Sequence, residues 1–539
     1  MTDRTEPSRR AVLRGAAGVA SAGLVGVAGT GTTGAQPADE FAAGAARVDA
    51  SPRPRHLEAG VYLGGFGIGP QPSRRATGNH DGASARAIAV SAGDETVVQA
   101  TFDATGLGNR QQRAVRRRVA ERTGLDESHV LLGATHSHAG PDFQGLWGGV
   151  PESYREFVVD RLATAIERAV ASLQPAALAA GSVDAADLAG NRRYDEGDEF
   201  FQGTDSTLTV LQFTATDEAG GPPPVAGAAG RAARDPEAPG GTIVTLVNFA
   251  AHPTTIGSGN SLVATDYVGP CERAIEAAHG GTALYLMGAI GDASARGPGG
   301  ANDYAEARNY GEALASRADD ALDAASEASP GLGVRTANVR LPIDNCLFRA
   351  GFEAGLLRPY YDSESAVDVA ATPVQRRLEG IAEPLGEAVG SARGPVPDAG
   401  ALAIRSPVAR LTFGTGPDRV ELLTVPGEAL TSLGFQVRGI LGGSEQVVAG
   451  LTQNSLGYLV LRAEFDDGYE ETVSLGPDTA PLYLNAVSSV TDTPGERYSR
   501  SPSQENVCPE AQAEFASFSE QFAARFDAND GEMGVPLDG

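Results

Sequence analysis

The chain is 539 residues long and 41% hydrophobic, which is ample for a large buried core. Its 69 acidic residues outweigh 42 basic ones to give a formal charge of −27; every basic residue is arginine, and lysine is absent. A field of that sign repels polyanions and so argues against nucleic-acid or anionic-membrane partners, while acids spread along the whole chain fit a hydrated surface adapted to high salt.

At the N-terminus, Arg9 and Arg10 precede a weakly hydrophobic Ala/Gly/Val stretch ending near Ala35, the pattern of a twin-arginine export signal. The stretch is too short and glycine-rich for a good membrane span, and no later one is long and apolar enough. The expectation is an exported protein whose first 40 residues are signal and linker. Strands and helices then alternate. Glu95 to Phe102 is rich in β-branched residues and predicts a strand. Asn109 to Thr123 predicts an arginine-rich amphipathic helix closed by Gly124. Val130 to Gly133 is a strand, and Ser153 to Leu173 is a helix with Pro175 beyond its end. Thr207 to Phe213 alternates like a half-buried strand; Glu218 to Gly241 is a Gly/Pro/Ala-rich insertion. Thr242 to Phe249, Ala283 to Met287 and Arg419 to Val425 predict strands; Tyr267 to Ala278, Asn302 to Ser326 and Ala511 to Asp527 predict helices. The class is α/β, with layered mixed sheets flanked by helices. The 3 cysteines, Cys271, Cys346 and Cys508, show no CxxC spacing and read as small core residues or one disulfide.

Polar residues gather where four apolar strands end. VLLGA runs into Thr135-His136-Ser137-His138, TIVTLVNFAA into His252-Pro253, ALYLMGAI into Gly291-Asp292-Ala293-Ser294, and RVELLTV into Pro426-Gly427-Glu428. Strand ends in α/β folds hold functional groups rigidly while the loops leave them room. Three histidines of only 7, together with a glutamate, are suitable atoms for zinc, which takes His and carboxylate ligands and keeps a position for water. Each element also has a plain structural reading. His-x-His pairs share a face by chance, His252 fits a hydrogen-bonded structural histidine, Pro-Gly-Glu is a common turn, and Asp292 could cap the helix that follows it.

The order of these segments (THSHAGPD, NFAAHPTTIG, ATDYVGP, MGAIGDAS, VPGE, NSLGYL) resembles the catalytic domain of the neutral/alkaline non-lysosomal ceramidase family. The glycine-rich segment Tyr62 to Pro70, followed by Gly78-Asn79-His80 and ARAIAV, resembles that domain's opening strands. The resemblance implies a catalytic domain over 41–500, then a C-terminal helix and acidic tail over 501–539, without the immunoglobulin-like domain that ceramidases carry after it. It implies a zinc ion held by His136, His252, Glu428 and Tyr458, with His138 as the base beside the zinc-bound water. It also implies substrate contact by Arg192, and roles for Tyr469 and Ser294 at the scissile amide. Here Ala295 follows Ser294 in place of the family's proline, and Asp142 stands where a small residue is usual. Ion pairing with Asp195 or Glu196 is the structural alternative for Arg192, and sheet packing the alternative for the two tyrosines.

The implied activity is zinc-dependent hydrolysis of an N-acyl lipid, or another small amide, to a fatty acid and an amine. The alternatives are a zinc hydrolase of an ester or phosphoester, and a non-catalytic surface-binding protein on the same fold. A serine hydrolase built on Ser294 lacks the GxSxG elbow.

Overall fold

The computed structural model describes residues 40–216 apart from 68 and 70, 241–365 apart from 354, and 402–491 apart from 467. The expected signal, the 218–241 insertion, the helix at 511–527 and Cys508 therefore lie wholly or almost wholly outside the described residues. Nine strands form one mixed sheet: β1 (Phe41–Asp49), β2 (Ser84–Ala92), β3 (Glu95–Phe102), β4 (Val130–Ala134), β5 (Gln174–Asp184), β6 (Thr207–Ala215), β7 (Thr242–Phe249), β8 (Thr282–Met287) and β9 (Ser326–Ala328). Their order is β8-β7-β6-β5-β1-β2-β3-β4, with β9 added beside β5. Only the pairs β7/β8 and β3/β4 are parallel. A second sheet holds β10 (Leu332–Pro342), β11 (Glu364–Ser365), β12 (Leu402–Phe413), β13 (Val420–Thr424) and β14 (Glu445–Ala449) in the order β10-β12-β13-β14, with β11 on β12.

The two sheets pack face to face. Leu178, Leu211, Phe213, Leu246 and Leu286 of the first share a core with Leu411, Phe413, Leu422 and Val447 of the second. The far face of the first sheet lies under helices. Val115 of α1 (Asn109–Thr123) and Leu162 of α2 (Glu152–Ala171) pack with Ala85, Val98 and Phe102. Ile275 of α3 (Val268–His279) and Leu314 of α4 (Asp303–Asp323) pack with Val247, Phe249 and Tyr285. A strand covered on both sides buries both alternating sets, so the strands read as continuous apolar runs. In β8, Leu284 and Leu286 face the second sheet, while Ala283, Tyr285 and Met287 face the helices. Two more helices, α5 (Thr431–Ile440) and α6 (Thr479–Val490), complete the layers.

Most expected elements fall within two residues of their observed bounds, and Gly124 closes α1 in the left-handed conformation at φ 79°. One differs usefully. The helix expected to reach Ser326 stops at Asp323, because Ser326–Ala328 add to the sheet beside β5. Pro175 stands beyond the end of α2, as expected, and is the second residue of β5. Cys271 is a buried free thiol in α3. Among the described residues, no helix is long and apolar enough to cross a membrane.

At one end of the molecule the two edge strands of the large sheet are stitched together. The segment after β14 donates from Gly450 N to Met287 O at 2.8 Å and from Gln453 N to Leu132 O at 2.7 Å, and accepts at Leu451 O from Ala134 N at 3.2 Å. The loops that leave β4, β7 and β13 meet at this end.

Candidate metal centre

The turn after β4 forces His136 into the left-handed region, at φ 56°. That conformation is strained for a side chain of this size and is found mainly where the surroundings over-determine it. Here they do: Thr135 Oγ1 donates to the buried Asp103 at 3.1 Å, and the His138 N–H donates to Pro253 O, beside His252, at 3.2 Å. The result is a triangle of imidazole Nε2 atoms. His136 and His252 are 3.1 Å apart, and His138 is 3.2 Å from each of them. All three are buried. Glu428 Oε2 lies 3.2 Å from His136 Nε2 and 3.8 Å from His252 Nε2.

The protons show what the cluster lacks. His136 Nδ1 faces Thr105 O, and His252 Nδ1 faces Ile290 O at 3.1 Å. A carbonyl accepts, so each Nδ1 carries the hydrogen and each Nε2 presents a bare lone pair to the triangle. Glu428 Oε2 adds a further acceptor with no donor of its own. Burial first, reinforced by the positive Arg192 and neighbouring imidazoles, holds His138 and His252 well below the usual histidine range, so both are neutral. Converging lone pairs and a carboxylate repel one another unless a cation lies between them. Nitrogens 3.1–3.2 Å apart, each about 2.0–2.1 Å from a common zinc, would subtend about 100° at it, close to tetrahedral. The donor set fits zinc, and neutral imidazoles are the form that binds it.

Two short strand pairs bring in the remaining residues. Glu428–Ala429 pairs in parallel with Tyr458–Leu459, so Glu428 and Tyr458 stand side by side. Ala189–Asn191 pairs with Ala293–Ala295 and delivers Arg192 to the site. Arg192 Nη2 donates to Tyr458 Oη and Gly291 O, each at 2.7 Å. Its carboxylate partner is Glu470 at 3.5 Å, not the expected Asp195 or Glu196. Burial, then the Glu428 charge, keeps the Tyr458 phenol protonated, well above its ordinary range. Tyr469 is 48% exposed, with its ring 6.1 Å from that of Tyr458. Ser294 bridges His252 through the backbone, while its hydroxyl donates to Gly190 O at 3.2 Å.

Other parts of the site carried little signal in the sequence. Asp292 does cap a helix, but the distant α5: it accepts from the N–H and hydroxyl of Thr431, both at 2.7 Å, and from Asn191 Nδ2 at 2.9 Å. Asp142, in the place of a small residue, accepts four backbone N–H bonds at 2.7–2.9 Å from Gln144, Gly145, Trp147 and Gly149, which shapes the loop after the histidines. Gly65 has φ 84°, and a Cβ there would lie 2.2 Å from His138 Nδ1, so glycine at 65 is what lets the backbone close over the histidine. Phe66 packs edge-on to His138 at 4.9 Å.

Fold and site together define a class: a layered α/β protein with buried histidines and a glutamate converging at strand ends. No protein-family model matches the chain, and no curated protein does. Its fold is that of neutral ceramidases. The chain matches the crystal structure of neutral ceramidase from Pseudomonas aeruginosa with a TM-score of 0.60 and 20% identity, over 86% of this chain and 76% of that one. It matches a ceramidase complexed with C2 at the same score and identity, over 87% and 78%.

Proposed function

We propose that the protein is a zinc-dependent hydrolase of linear amides that splits an N-acyl compound into a fatty acid and an amine. The observation that carries this reading is the triangle of buried Nε2 atoms at 3.1–3.2 Å with the donorless Glu428 oxygen beside it. His136, His252 and Glu428, with Tyr458 Oη adjacent, would hold the ion, which when bound supplies a Lewis acid and lowers the pKa of water from about 16 to about 7.

The histidines differ in one respect that separates their roles. Ligating histidines nearly always donate their other ring nitrogen to an acceptor. His136 and His252 do so; His138 Nδ1 is buried and makes no hydrogen bond. His138 is therefore the imidazole to take a proton from the attacking water at Nε2. The Tyr469 hydroxyl, half-exposed beside Tyr458, is the donor for the developing oxyanion. Arg192, held by Tyr458 and Gly291 O, offers its planar fork to substrate oxygens. The likeness to ceramidases supports an N-acyl lipid as substrate, and the same chemistry serves another N-acyl compound.

The test is release of fatty acid from a panel of N-acyl substrates in high salt, with chelator and with zinc restored. Wild type should lose and regain turnover, and His136→Ala should have none. Equal turnover by both proteins overturns the reading. Ester or phosphoester turnover in its place favours the alternative hydrolase, and correctly folded protein that binds no zinc favours a non-catalytic role. The equal spacing of the three Nε2 atoms supports a second assignment, His138 as a third imidazole ligand. His138→Ala separates the two: a base leaves metal affinity intact while activity collapses, whereas a ligand lowers both. Export by the twin-arginine route belongs to the same proposal and predicts a signal-dependent product outside the cytoplasmic membrane.

A further inference from the structure

The segment Leu262 to Tyr267, which carries the ATDY motif, grips both histidine loops by hydrogen bonds to their backbone and hydroxyl groups. On one side the Ala264 N–H donates to Ala139 O at 3.0 Å, and Ala264 O accepts from the Ser137 hydroxyl at 2.8 Å, so the residues on either side of His138 are bound to it. On the other side Asp266 and Tyr267 hold the loop that bears His252. Asp266 accepts from the Thr255 hydroxyl and from the Ile256 N–H at 2.9 Å, three and four residues after His252. The Tyr267 hydroxyl donates to Ala251 O, immediately before it.

Asp266 is the keystone of this clasp. It is 2% exposed, and its backbone sits in the left-handed region at φ 52°, a conformation that aspartate tolerates better than most residues. Its carboxylate also accepts from the Tyr267 N–H at 2.7 Å, so every neighbour named is a donor and the side chain serves purely as an acceptor. An asparagine could keep the shape but would set an N–H₂ against an N–H or O–H. Converging lone pairs repel before an ion arrives, so the loops must be held against that repulsion, and preset ligands raise metal affinity.

We infer that Asp266 is a positioning residue for the metal centre, fixing His252 against the His136–His138 loop so that the ligand atoms converge before metal binds. The inference rests on the metal-centre reading above. The experiment is zinc binding by the full chain in competition with a chromophoric chelator, together with the dissociation rate and the cobalt(II) absorption spectrum. The proteins are wild type, Asp266→Asn, Thr255→Val and, as a control, Glu272→Gln, a buried change whose partners, Arg86 and Tyr285, lie in neither histidine loop. Asp266→Asn should weaken zinc binding on the order of tenfold or more and speed release, with turnover recovered at saturating zinc. Thr255→Val, which keeps the carboxylate, should shift in the same direction by about threefold. The control should lower thermal stability without changing zinc affinity. Wild-type affinity and spectrum in both folded loop variants overturn this inference alone. Failure of wild type itself to bind zinc overturns the metal-centre reading and this inference with it.

Discussion

Two polar clusters buried beside the large sheet differ in what they bring together: one pairs opposite charges, the other gathers acceptors. In the first, Arg86 of β2 is 2% exposed, with its Nε 2.8 Å from Glu272 Oε2 and its Nη1 bonded to Glu276 and, at 2.7 Å, to Ala283 O. Burial works against its charge, but Glu272 and Glu276 outweigh it and raise the Arg86 pKa. Positive and negative groups meet, so the charges compensate one another even though Arg86 Nε and Glu272 Oε2 make no aligned hydrogen bond. In the second, His136, His138, His252 and Glu428 are deeply buried and close together, yet two imidazole lone pairs and a carboxylate oxygen converge with no paired positive group between them. Burial alone therefore does not mark a functional site. The mark is a buried set of acceptors that only a cation completes.

The widest break in this comparison tests the proposed zinc ion. His252→Ala should abolish zinc binding and lower kcat/KM on the order of a thousandfold or more, checked by metal analysis and turnover. Zinc at about 1,000 times its Kd should stabilise wild type by about 4 kcal/mol relative to chelated protein, and His252→Ala not at all; denaturant unfolding reads both. The ion-paired cluster should behave in the reverse way. Glu272→Gln leaves Arg86 with Glu276 alone to compensate its charge and should cost about 1–3 kcal/mol of stability while zinc affinity stays unchanged. A Glu272→Gln protein that unfolds normally but loses zinc would merge the two clusters into one.

Acid should separate the clusters as well. In the metal-free protein the folded pKa values of His138 and His252 lie well below 6.5, whereas the unfolded chain titrates near 6.5. Below that pH the unfolded state binds protons that the folded state refuses, so stability falls as pH drops and is flat above it with respect to these groups. The pair contributes a slope of up to about 2.7 kcal/mol per pH unit. Urea unfolding of chelated protein between pH 5 and 7 measures it, and His138→Gln should halve it. An unchanged slope would mean that His138 is not buried neutral.

The sequence made the site more legible than the sheets. His136, His252 and Glu428 could be found because each follows an apolar strand covered on both faces, and such runs end sharply. The first strand, the strand Gln174–Asp184 and most of the second sheet were not foreseen, for a packing reason. These two strands are rich in alanine and glycine, which by propensity do not favour strand. The structure needs them small: a Cβ on Gly44 would stand 2.3 Å from Ala169 O of α2, and one on Gly181 2.4 Å from Ala321 O of α4. Close approach of helix to sheet overrode propensity there. The clasp of Asp266 and the cradle of Asp142 were hidden for another reason: an aspartate that binds backbone N–H groups needs no partner residue type, so its role leaves no second mark in the sequence.

The two tyrosines give the finest test, because they lie side by side in opposite surroundings. Tyr458 is 4% exposed, pairs in register with Glu428 and accepts from Arg192, whereas Tyr469 is 48% exposed. A donor in a half-open position is screened by water, so its value to a developing charge is well below that of a sealed oxyanion donor. Tyr469→Phe should therefore lower kcat by only about tenfold, with KM and zinc affinity close to wild type. Tyr458→Phe removes an oxygen beside the ligand carboxylate and one partner of Arg192, so it should move zinc affinity and KM together. If steady-state kinetics and zinc titration return these two patterns exchanged, Tyr469 belongs with the metal ligands and Tyr458 with the substrate, and the boundary between the sealed and open halves of the site has to be redrawn.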